Sequence, residues 1–257
     1  MAADTDDAAG PALAVDGLEK RYDGVRALDG VDVTLRPGEL TVLVGRSGAG
    51  KTTLLRCMNG LETPDGGAIR HGGAPLETDD VALVFQSSAL VDRKSALANV
   101  LDGALGREPA WRGVLGWRTP AEKREAIARL HDVGLAGMAD RRVDRLSGGE
   151  RQRVGIARAL HQEPRVVLAD EPVAALDPAT ARDVLSLLAD VVHDAGLVGL
   201  LSLHQPGLAS AVADRYLGLA AGRLVLDEAA DAVDPADVTA VYEQTPGGDD
   251  RVGADRA

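Results

Sequence analysis

The sequence contains little cysteine, little aromatic residue and little lysine. Its 257 residues include one cysteine, and aromatic residues make up only 2% of the composition. A single cysteine excludes an internal disulfide framework and favours a cytosolic protein. Cys57 lies in the apolar run LLRCMNGL. We therefore interpret it as a small buried hydrophobe rather than as a reactive thiol.

Long hydrophobic runs are also missing. No stretch approaches the roughly 18 apolar residues that a membrane-spanning helix needs. The N-terminal MAADTDDAAGPA lacks the basic and apolar regions of a signal peptide, so we expect none. The polar, Gly/Asp-rich ends, residues 1–11 and 245–257, are predicted to be disordered tails.

Positive charge is scarce as well. The chain has 40 acidic and 28 basic residues and a net charge of −12, which disfavours nucleic acid as a partner. Only four basic residues are lysines. Two explanations stay open: adaptation to concentrated salt, which screens like charges, or the Ala/Arg/Asp bias of a GC-rich bacterial genome.

Apolar runs alternate with helical segments along the chain. LAVDG, VDVTL and LTVLVG come first, followed by VALVF at 81–85, RVVLAD at 165–170 and LVGLLSLH at 197–204. Continuous apolar runs are typical of strands buried on both faces of a parallel sheet, so the pattern predicts an α/β fold.

The span from residue 86 to about 145 is predicted to be largely helical. Thr119-Pro120-Ala121-Glu122 indicates the start of one helix, with an N-cap, a proline at the first position and a capping-box glutamate. Ile127, Leu130 and Val133 are predicted to share the apolar face of this helix.

The stretch GRSGAGKT, residues 45–52, fits the phosphate-binding loop pattern. It follows the apolar run LTVLV and opens a helical segment, as the mechanism requires. Glycines allow a tight loop whose backbone amides face phosphates. Lys51 is expected to reach the β- and γ-phosphates, and the Thr52 hydroxyl to bind Mg²⁺.

RVVLADE ends a predicted buried strand with two carboxylates. Asp170 is expected to join the Mg²⁺ shell at the carboxyl edge of the sheet. Glu171 is placed to polarise the attacking water. Acidic residues often end strands only because the strand end is exposed to solvent. This motif indicates a nucleotide site because a phosphate-binding loop precedes it in the same chain.

LSGGERQRVGIARAL, residues 146–160, predicts a second anion-binding helix N-terminus at Ser147, Gly148 and Gly149. A chain with one phosphate loop has no obvious use for this site in cis. We therefore expect it to act in trans, on a nucleotide that a second subunit holds.

In this order, the motifs resemble those of the ATP-binding cassette (ABC) ATPases, from about residue 12 to 243. The resemblance implies an α/β P-loop NTPase fold of ABC type. It has a RecA-like mixed-sheet core, an antiparallel β subdomain and an inserted α-helical subdomain. We expect one nucleotide-binding domain at 12–244, with its helical subdomain at about 87–150.

The resemblance also assigns roles to residues that would be unremarkable alone. Tyr22 is expected to stack on adenine, and Asp177 to lie in the D-loop at the dimer interface. Gln86 is expected to touch Mg²⁺ or the water and to face the membrane partner, and His204 to contact the γ-phosphate. The expected catalytic set is Glu171, His204, Gln86 and Lys51, and the Mg²⁺ ligands are Thr52, Gln86 and Asp170. The expected nucleotide-binding set is Tyr22, Gly45, Arg46, Ser47, Gly48, Ala49, Gly50, Lys51, Thr52 and Thr53.

Three residues depart from the family's common pattern. Arg46 stands where proline is frequent, Glu150 replaces glutamine after the signature glycines, and Ala175 replaces a D-loop serine. None of them is the lysine, an Mg²⁺ ligand or the expected base, so an active ATPase is predicted.

LVDRKSALANVLDGALG and PAWRGVLGW are similar to segments of the phosphonate-import ATP-binding subunits, although Pro206-Gly207 replaces that family's usual acidic pair. This resemblance implies an ATPase homodimer at the cytoplasmic face of the cell membrane. The dimer would bind two integral membrane permease subunits, with an extracytoplasmic substrate-binding protein, and drive uptake of phosphonate or of a related oxyanion such as phosphite or phosphate. Import of another solute, lipoprotein release or efflux, and a soluble non-transport ATPase remain as alternatives.

Both tryptophans lie six positions apart, at Trp111 and Trp117. Trp111 shares a predicted helix face with Val114 and Leu115, and Trp117 lies off it. Two interpretations stay open: local core packing, or a segment that shapes the groove for a permease helix.

Overall fold

The computed structural model describes residues 12–85, 89–106 and 118–243. Within these ranges the chain forms ten strands, which we number in chain order. They are β1 Leu13–Tyr22, β2 Val25–Leu35, β3 Glu39–Val44, β4 Gly66–His71, β5 Ala74–Pro75, β6 Val81–Phe85, β7 Val166–Asp170, β8 Val198–Ser202, β9 Arg215–Ala220 and β10 Arg223–Ala229.

Seven α-helices lie in the same ranges. They are α1 Lys51–Met58, α2 Ala96–Leu101, α3 Pro120–Asp132, α4 Gly148–Leu160, α5 Pro178–Asp194, α6 Pro206–Ala209 and α7 Pro235–Glu243. Short 3-10 turns occur at Thr78–Asp80, Asp102–Gly106 and Val143–Arg145. None of these helices is long and apolar enough to cross a membrane.

A six-stranded mixed sheet forms the centre of the fold, in the order β10-β9-β3-β8-β7-β6. All neighbouring pairs are parallel except β9 and β10. Helices cover this sheet, and β8 is buried at every position, as its largely apolar sequence predicts. The carboxyl ends of β3, β7 and β8 meet at one edge.

A second sheet is antiparallel, in the order β2-β1-β4-β5. Its strands β1 and β2 extend beyond the short apolar runs that predict them. Along both strands, buried residues are interspersed with exposed or partly buried ones, as expected for a sheet with one face on the core and one face in solvent. Together, the two sheets and the helices confirm the predicted α/β fold with a mixed-sheet core and an antiparallel β subdomain.

Helices α2, α3 and α4 follow β6 and precede β7 in the chain, and they pack against one another. The capping box at the start of α3 is as predicted: Thr119 Oγ1 accepts from the amide of Glu122, whose carboxylate accepts from the amide of Thr119. The predicted apolar face of α3 was partly wrong. Ile127 is 46% exposed, whereas Ala126 and Leu130 are buried. The small Ala126 takes the core position one turn before Leu130, and this leaves Ile127 about 100° away from it.

Several predictions fall on residues outside the described ranges. These residues are Gln86, the tryptophan segment within 107–117 and the two tails. The helical-subdomain boundary near residue 150 stays a prediction; it falls inside α4.

Cys57 lies on the buried side of α1, in the core between the two sheets. Burial raises the pKa of its thiol to about 11, and the nearby acidic residues Glu62 and Asp65 act in the same direction. The interpretation of Cys57 as a core hydrophobe is therefore confirmed.

Candidate nucleotide-binding and hydrolysis site

The loop between β3 and α1 needs its glycines. A Cβ at Gly45 would lie 2.4 Å from the carbonyl oxygen of Leu219, and one at Gly50 would lie 2.4 Å from that of Ala27. Both glycines also have positive φ, which L side chains rarely adopt. Gly48 has positive φ too, but its Cβ would meet nothing within 4 Å. The loop is thus packed on the protein side at Gly45 and Gly50 and open at Gly48.

Lys51 begins α1 and turns its side chain back into this loop. Its Nζ donates to the carbonyl oxygens of Gly45, at 2.6 Å, and Arg46, at 3.0 Å. Burial lowers the pKa of the ammonium group, while the charges of Glu171 and Asp170 act to raise it. Lys51 therefore lies within electrostatic reach of both carboxylates. The hydroxyl-bearing Thr52 is exposed next to it.

Asp170 and Glu171 are held by a residue that the sequence analysis did not identify. Ser202 on β8 lies opposite Asp170 on β7. Its Oγ donates to Asp170 Oδ1 at 2.7 Å and also accepts from the amide of Glu171 at 3.1 Å. The signal was present in the sequence as a buried hydroxyl within an apolar run, two residues before His204.

Glu171 contacts His204 directly, through Oε1 and the imidazole Nε2. Both side chains are partly exposed. Glu171 has a φ of +48°, in the left-handed region that residues other than glycine rarely occupy. The amide of Glu171 also donates to the carbonyl oxygen of Ser202, so the neighbouring strand stabilises this backbone. Such departures concentrate at functional sites.

The β1–β2 hairpin reaches the same loop. Tyr22 pairs with Val25 at the end of the hairpin, two residues from Ala27, whose carbonyl oxygen approaches Gly50. The Tyr22 side chain is left partly free, with 40% of the residue exposed. This places an accessible aromatic ring at the end of the strand pair that packs against the phosphate loop.

A second group of predicted residues surrounds the start of α4. Ser147 caps this helix in a full capping box with Glu150. Its Oγ accepts from the amide of Glu150 at 3.2 Å, and its own amide donates to the Glu150 carboxylate at 2.7 Å. The hydrogen bond from the Ser147 amide is the main cause that lowers the pKa of Glu150.

The glycines after Ser147 allow α4 to pack closely on α5. A Cβ at Gly148 would lie 2.9 Å from a Leu176 methyl group, and one at Gly149 would lie 2.4 Å from the Thr180 methyl group. Asp177 caps α5 and accepts from the Thr180 amide, and hydrogen bonds to Thr180 lower its pKa. The predicted signature and D-loop residues therefore lie side by side.

The structure brings together the phosphate-loop residues, Lys51, Asp170, Glu171 and His204. Gln86 itself lies outside the described residues, but it directly follows Phe85, which pairs with Asp170 across β6 and β7. A separate cavity of about 280 Å³ between α6 and α7 is lined by uncharged residues and contains none of the predicted site residues.

Comparison with known proteins agrees with this geometry. The family model described as ABC transporter matches residues 28–174. The chain is 69% identical over 231 residues to the phosphonates import ATP-binding protein PhnC 1 of Natronomonas pharaonis, covering 90% of this chain and 99% of that protein. It is 45% identical over 239 residues to the phosphite import ATP-binding protein PxtA of Stutzerimonas stutzeri, covering 90% and 86%.

Solved structures show the same fold. CbiO1 of Clostridium perfringens, part of an ABC transporter complex, superposes with a TM-score of 0.76 at 27% identity and covers 90% of this chain and 91% of its own. A dimeric ATP-binding cassette bound to ADP and Pi gives 0.72 at 26% identity and covers 85% and 98%. The chain belongs to the ABC transporter family as one of its ATP-binding cassettes. It is a nucleotide-binding ATPase.

Proposed function

We propose that this chain is the ATP-binding subunit of a phosphonate importer, which hydrolyses ATP to drive uptake through a separate permease. The observation that carries this proposal is the 69% identity to a phosphonates import ATP-binding protein along almost the full length of both chains. The similarity to a phosphite import protein supports a phosphorus oxyanion as the wider substrate class. The ATPase subunit does not itself contact that substrate.

ATP binding rests on the loop between β3 and α1. Backbone amides of a glycine-rich loop at a helix N-terminus bind phosphate oxygens, and the open side at Gly48 gives them access. Lys51 already lies inside the loop, so its ammonium group is in place to pair with the β- and γ-phosphates. Tyr22 provides the adenine platform.

The residues present also fit Mg²⁺, a hard cation that prefers oxygen ligands. Asp170 uses one carboxylate oxygen to accept from Ser202, and no residue within the described ranges hydrogen bonds to the other, which is available to an ion. The exposed Thr52 hydroxyl is a second oxygen donor, and Gln86 is the third ligand in this proposal. When bound, Mg²⁺ neutralises charge on the phosphates during hydrolysis.

Glu171 acts as the general base in this proposal. It follows Asp170 directly at the carboxyl edge of the sheet, and its backbone is fixed by Ser202. A positioned carboxylate polarises the water that attacks the γ-phosphate. The imidazole of His204 contacts this carboxylate and orients it. In this proposal His204 also contacts the γ-phosphate when ATP is bound.

The active unit in this proposal is a head-to-tail homodimer. Ser147, Gly148 and Gly149 form a helix N-terminus that binds the nucleotide of the partner chain, with Asp177 beside it at the interface. The dimer lies at the cytoplasmic face of the membrane and binds two permease subunits. An extracytoplasmic protein delivers the substrate. A dimeric relative bound to ADP and Pi supports this arrangement.

A growth experiment tests the substrate. In the source organism, a strain lacking this gene is expected to grow on phosphate but not on methylphosphonate as sole phosphorus source. The wild-type gene should restore growth, a Lys51→Ala gene should not, and a Lys94→Ala gene should restore it because Lys94 pairs with Asp102 away from the loop. Normal growth of the deletion strain on methylphosphonate, with loss of growth on phosphite alone, would replace phosphonate by phosphite.

A further inference from the structure

The side chain of Lys20 lies against the aromatic ring of Tyr22. Its Nζ lies over the Tyr22 ring, 5.3 Å from the centroid, within the range of a cation–π interaction. Both residues lie on β1, and this contact brings the Lys20 ammonium group over one face of the ring. Lys20 was not among the residues that the sequence singled out for the nucleotide site.

The ammonium group of Lys20 is firmly held. Nζ donates to the carbonyl oxygen of Thr63 at 2.7 Å and lies 3.7 Å from Glu62 and 3.9 Å from Asp65. The Lys20 side chain is only 13% exposed, although most lysine side chains extend into solvent. All three partners lie in the connection that follows α1, the helix that Lys51 begins.

The same connection is also tied to the backbone of β1. The Asp65 amide donates to the carbonyl oxygen of Glu19 at 2.8 Å, and the Asp65 carboxylate accepts from the amide of Arg21 at 2.6 Å. Lys20 therefore belongs to a network of side-chain and backbone contacts that joins β1, which carries Tyr22, to the connection after α1.

We propose that Lys20 is a positioning residue of the nucleotide site: it covers one face of the Tyr22 ring and fixes the ring, so that adenine stacks on the opposite face. This inference rests on the proposed role of Tyr22. Tyr22 is 40% exposed, so part of its side chain is accessible to a base. A ring that is already held in place loses less conformational entropy when adenine binds. The resulting gain in ATP affinity comes from the contact with adenine and not from contacts with the phosphates.

Binding measurements with two probes separate base from phosphate. Lys20→Met removes the charge and keeps much of the chain length. It is expected to weaken MgATP binding by about three- to tenfold, the size of a partly exposed cation–π contact, and to raise KM more than it changes kcat. Binding of magnesium tripolyphosphate, which has no base, should stay within twofold of wild type.

Matched variants make the test specific. Lys20→Arg retains a cation and should restore most of the ATP affinity, and Lys94→Met, which removes a lysine paired elsewhere with Asp102, should change neither probe. In a Tyr22→Leu background, Lys20→Met should cause no further loss, because Lys20 acts through the ring.

Three results would overturn the proposal: unchanged ATP affinity in Lys20→Met, equal weakening of ATP and tripolyphosphate, or a full further loss in the Tyr22→Leu background. An unchanged ATP affinity in Tyr22→Leu itself would remove the adenine platform, and the inference with it. The transport function is tested separately, by growth on phosphonate.

Discussion

At the scale of single residues, the hydrolysis site depends on contacts across neighbouring strands. Ser202 holds the Asp170 carboxylate and the Glu171 backbone, and His204, on the same run of chain, contacts the Glu171 carboxylate. The proposed metal ligand Asp170 and the proposed base Glu171 are therefore both positioned by the carboxyl end of β8. A change of charge at Glu171 should leave this scaffold in place.

Glu171→Gln is expected to bind ATP normally and to lose hydrolysis by about 10²- to 10⁴-fold, because a carboxamide cannot accept the proton of the attacking water. ATP affinity and steady-state phosphate release measure the two effects. The variant should also accumulate as an ATP-bound dimer. Glu228→Gln, an exposed substitution on β10, is the control and should hydrolyse ATP as wild type does. Turnover in Glu171→Gln equal to wild type would remove Glu171 from the base role.

Cys57 should be chemically silent in the folded protein. Only the thiolate reacts, and with a pKa of about 11 roughly one thiol in a thousand is ionised at pH 8. Labelling by iodoacetamide is expected to be at least about 100-fold slower than in the unfolded chain, whose cysteine has a pKa of about 8.5. Since folding raises this pKa, the thiol lowers stability as pH rises from about 8.5 toward 11. Rapid labelling of the native protein at pH 8 would contradict this account.

At the scale of elements, the start of α4 combines a helix cap with a negative charge. The Glu150 carboxylate lies at the amide of Ser147, where the partner's nucleotide phosphates are expected. The pKa of Glu150 is below its usual value, so the group is ionised at neutral pH. A carboxylate at the N-terminus stabilises the helix but repels a phosphate that approaches the same amides.

Glu150→Gln should therefore strengthen the ATP-dependent dimer. Glutamine also serves in a capping box, so the helix start is retained while its charge is removed. In a Glu171→Gln background, dimerisation measured by sedimentation is expected to tighten by about three- to tenfold in dilute salt. The gain should shrink in 1 M KCl, where the Debye length is about 3 Å. Glu228→Gln controls for the change in net charge, and a dimer equal to or weaker than that control would contradict the prediction.

Features that depend on residues close together in the sequence could be predicted, whereas contacts between distant segments could not. The caps at Thr119 and Ser147 depend on residues three positions apart, so the sequence contains both halves of each. Ala126 is buried in the core and Ile127 is not. Which of the two is buried depends on how closely α3 approaches α2 and α4, and the hydrophobic periodicity of the sequence does not contain that distance. Ser202 was missed for the same reason, since its partners lie about 30 residues away.

At the scale of the whole molecule, charge should govern stability. The chain has a net charge of −12, and like charges repel within the compact state. If the acidic, lysine-poor surface is an adaptation to salt, the Tm is expected to rise between low and molar KCl because the salt screens this repulsion. A non-electrolyte at equal osmolality is the control. A Tm independent of KCl would favour the compositional explanation.

We propose that each nucleotide is held between two copies of the chain, by the phosphate loop of one copy and the N-terminus of α4 in the other. Lys51→Ala disables the loop, and Ser147→Arg blocks the signature helix. Mixed together, they form a heterodimer in which one composite site has both halves intact and the other has both defects.

Differently tagged Lys51→Ala and Ser147→Arg subunits, mixed with MgATP, measure this most directly. We expect the mixture to form ATP-dependent heterodimers, detected by co-purification of both tags, while neither variant dimerises alone. A mixture that stays monomeric with ATP, or full ATPase activity in a demonstrated wild-type monomer, would contradict it.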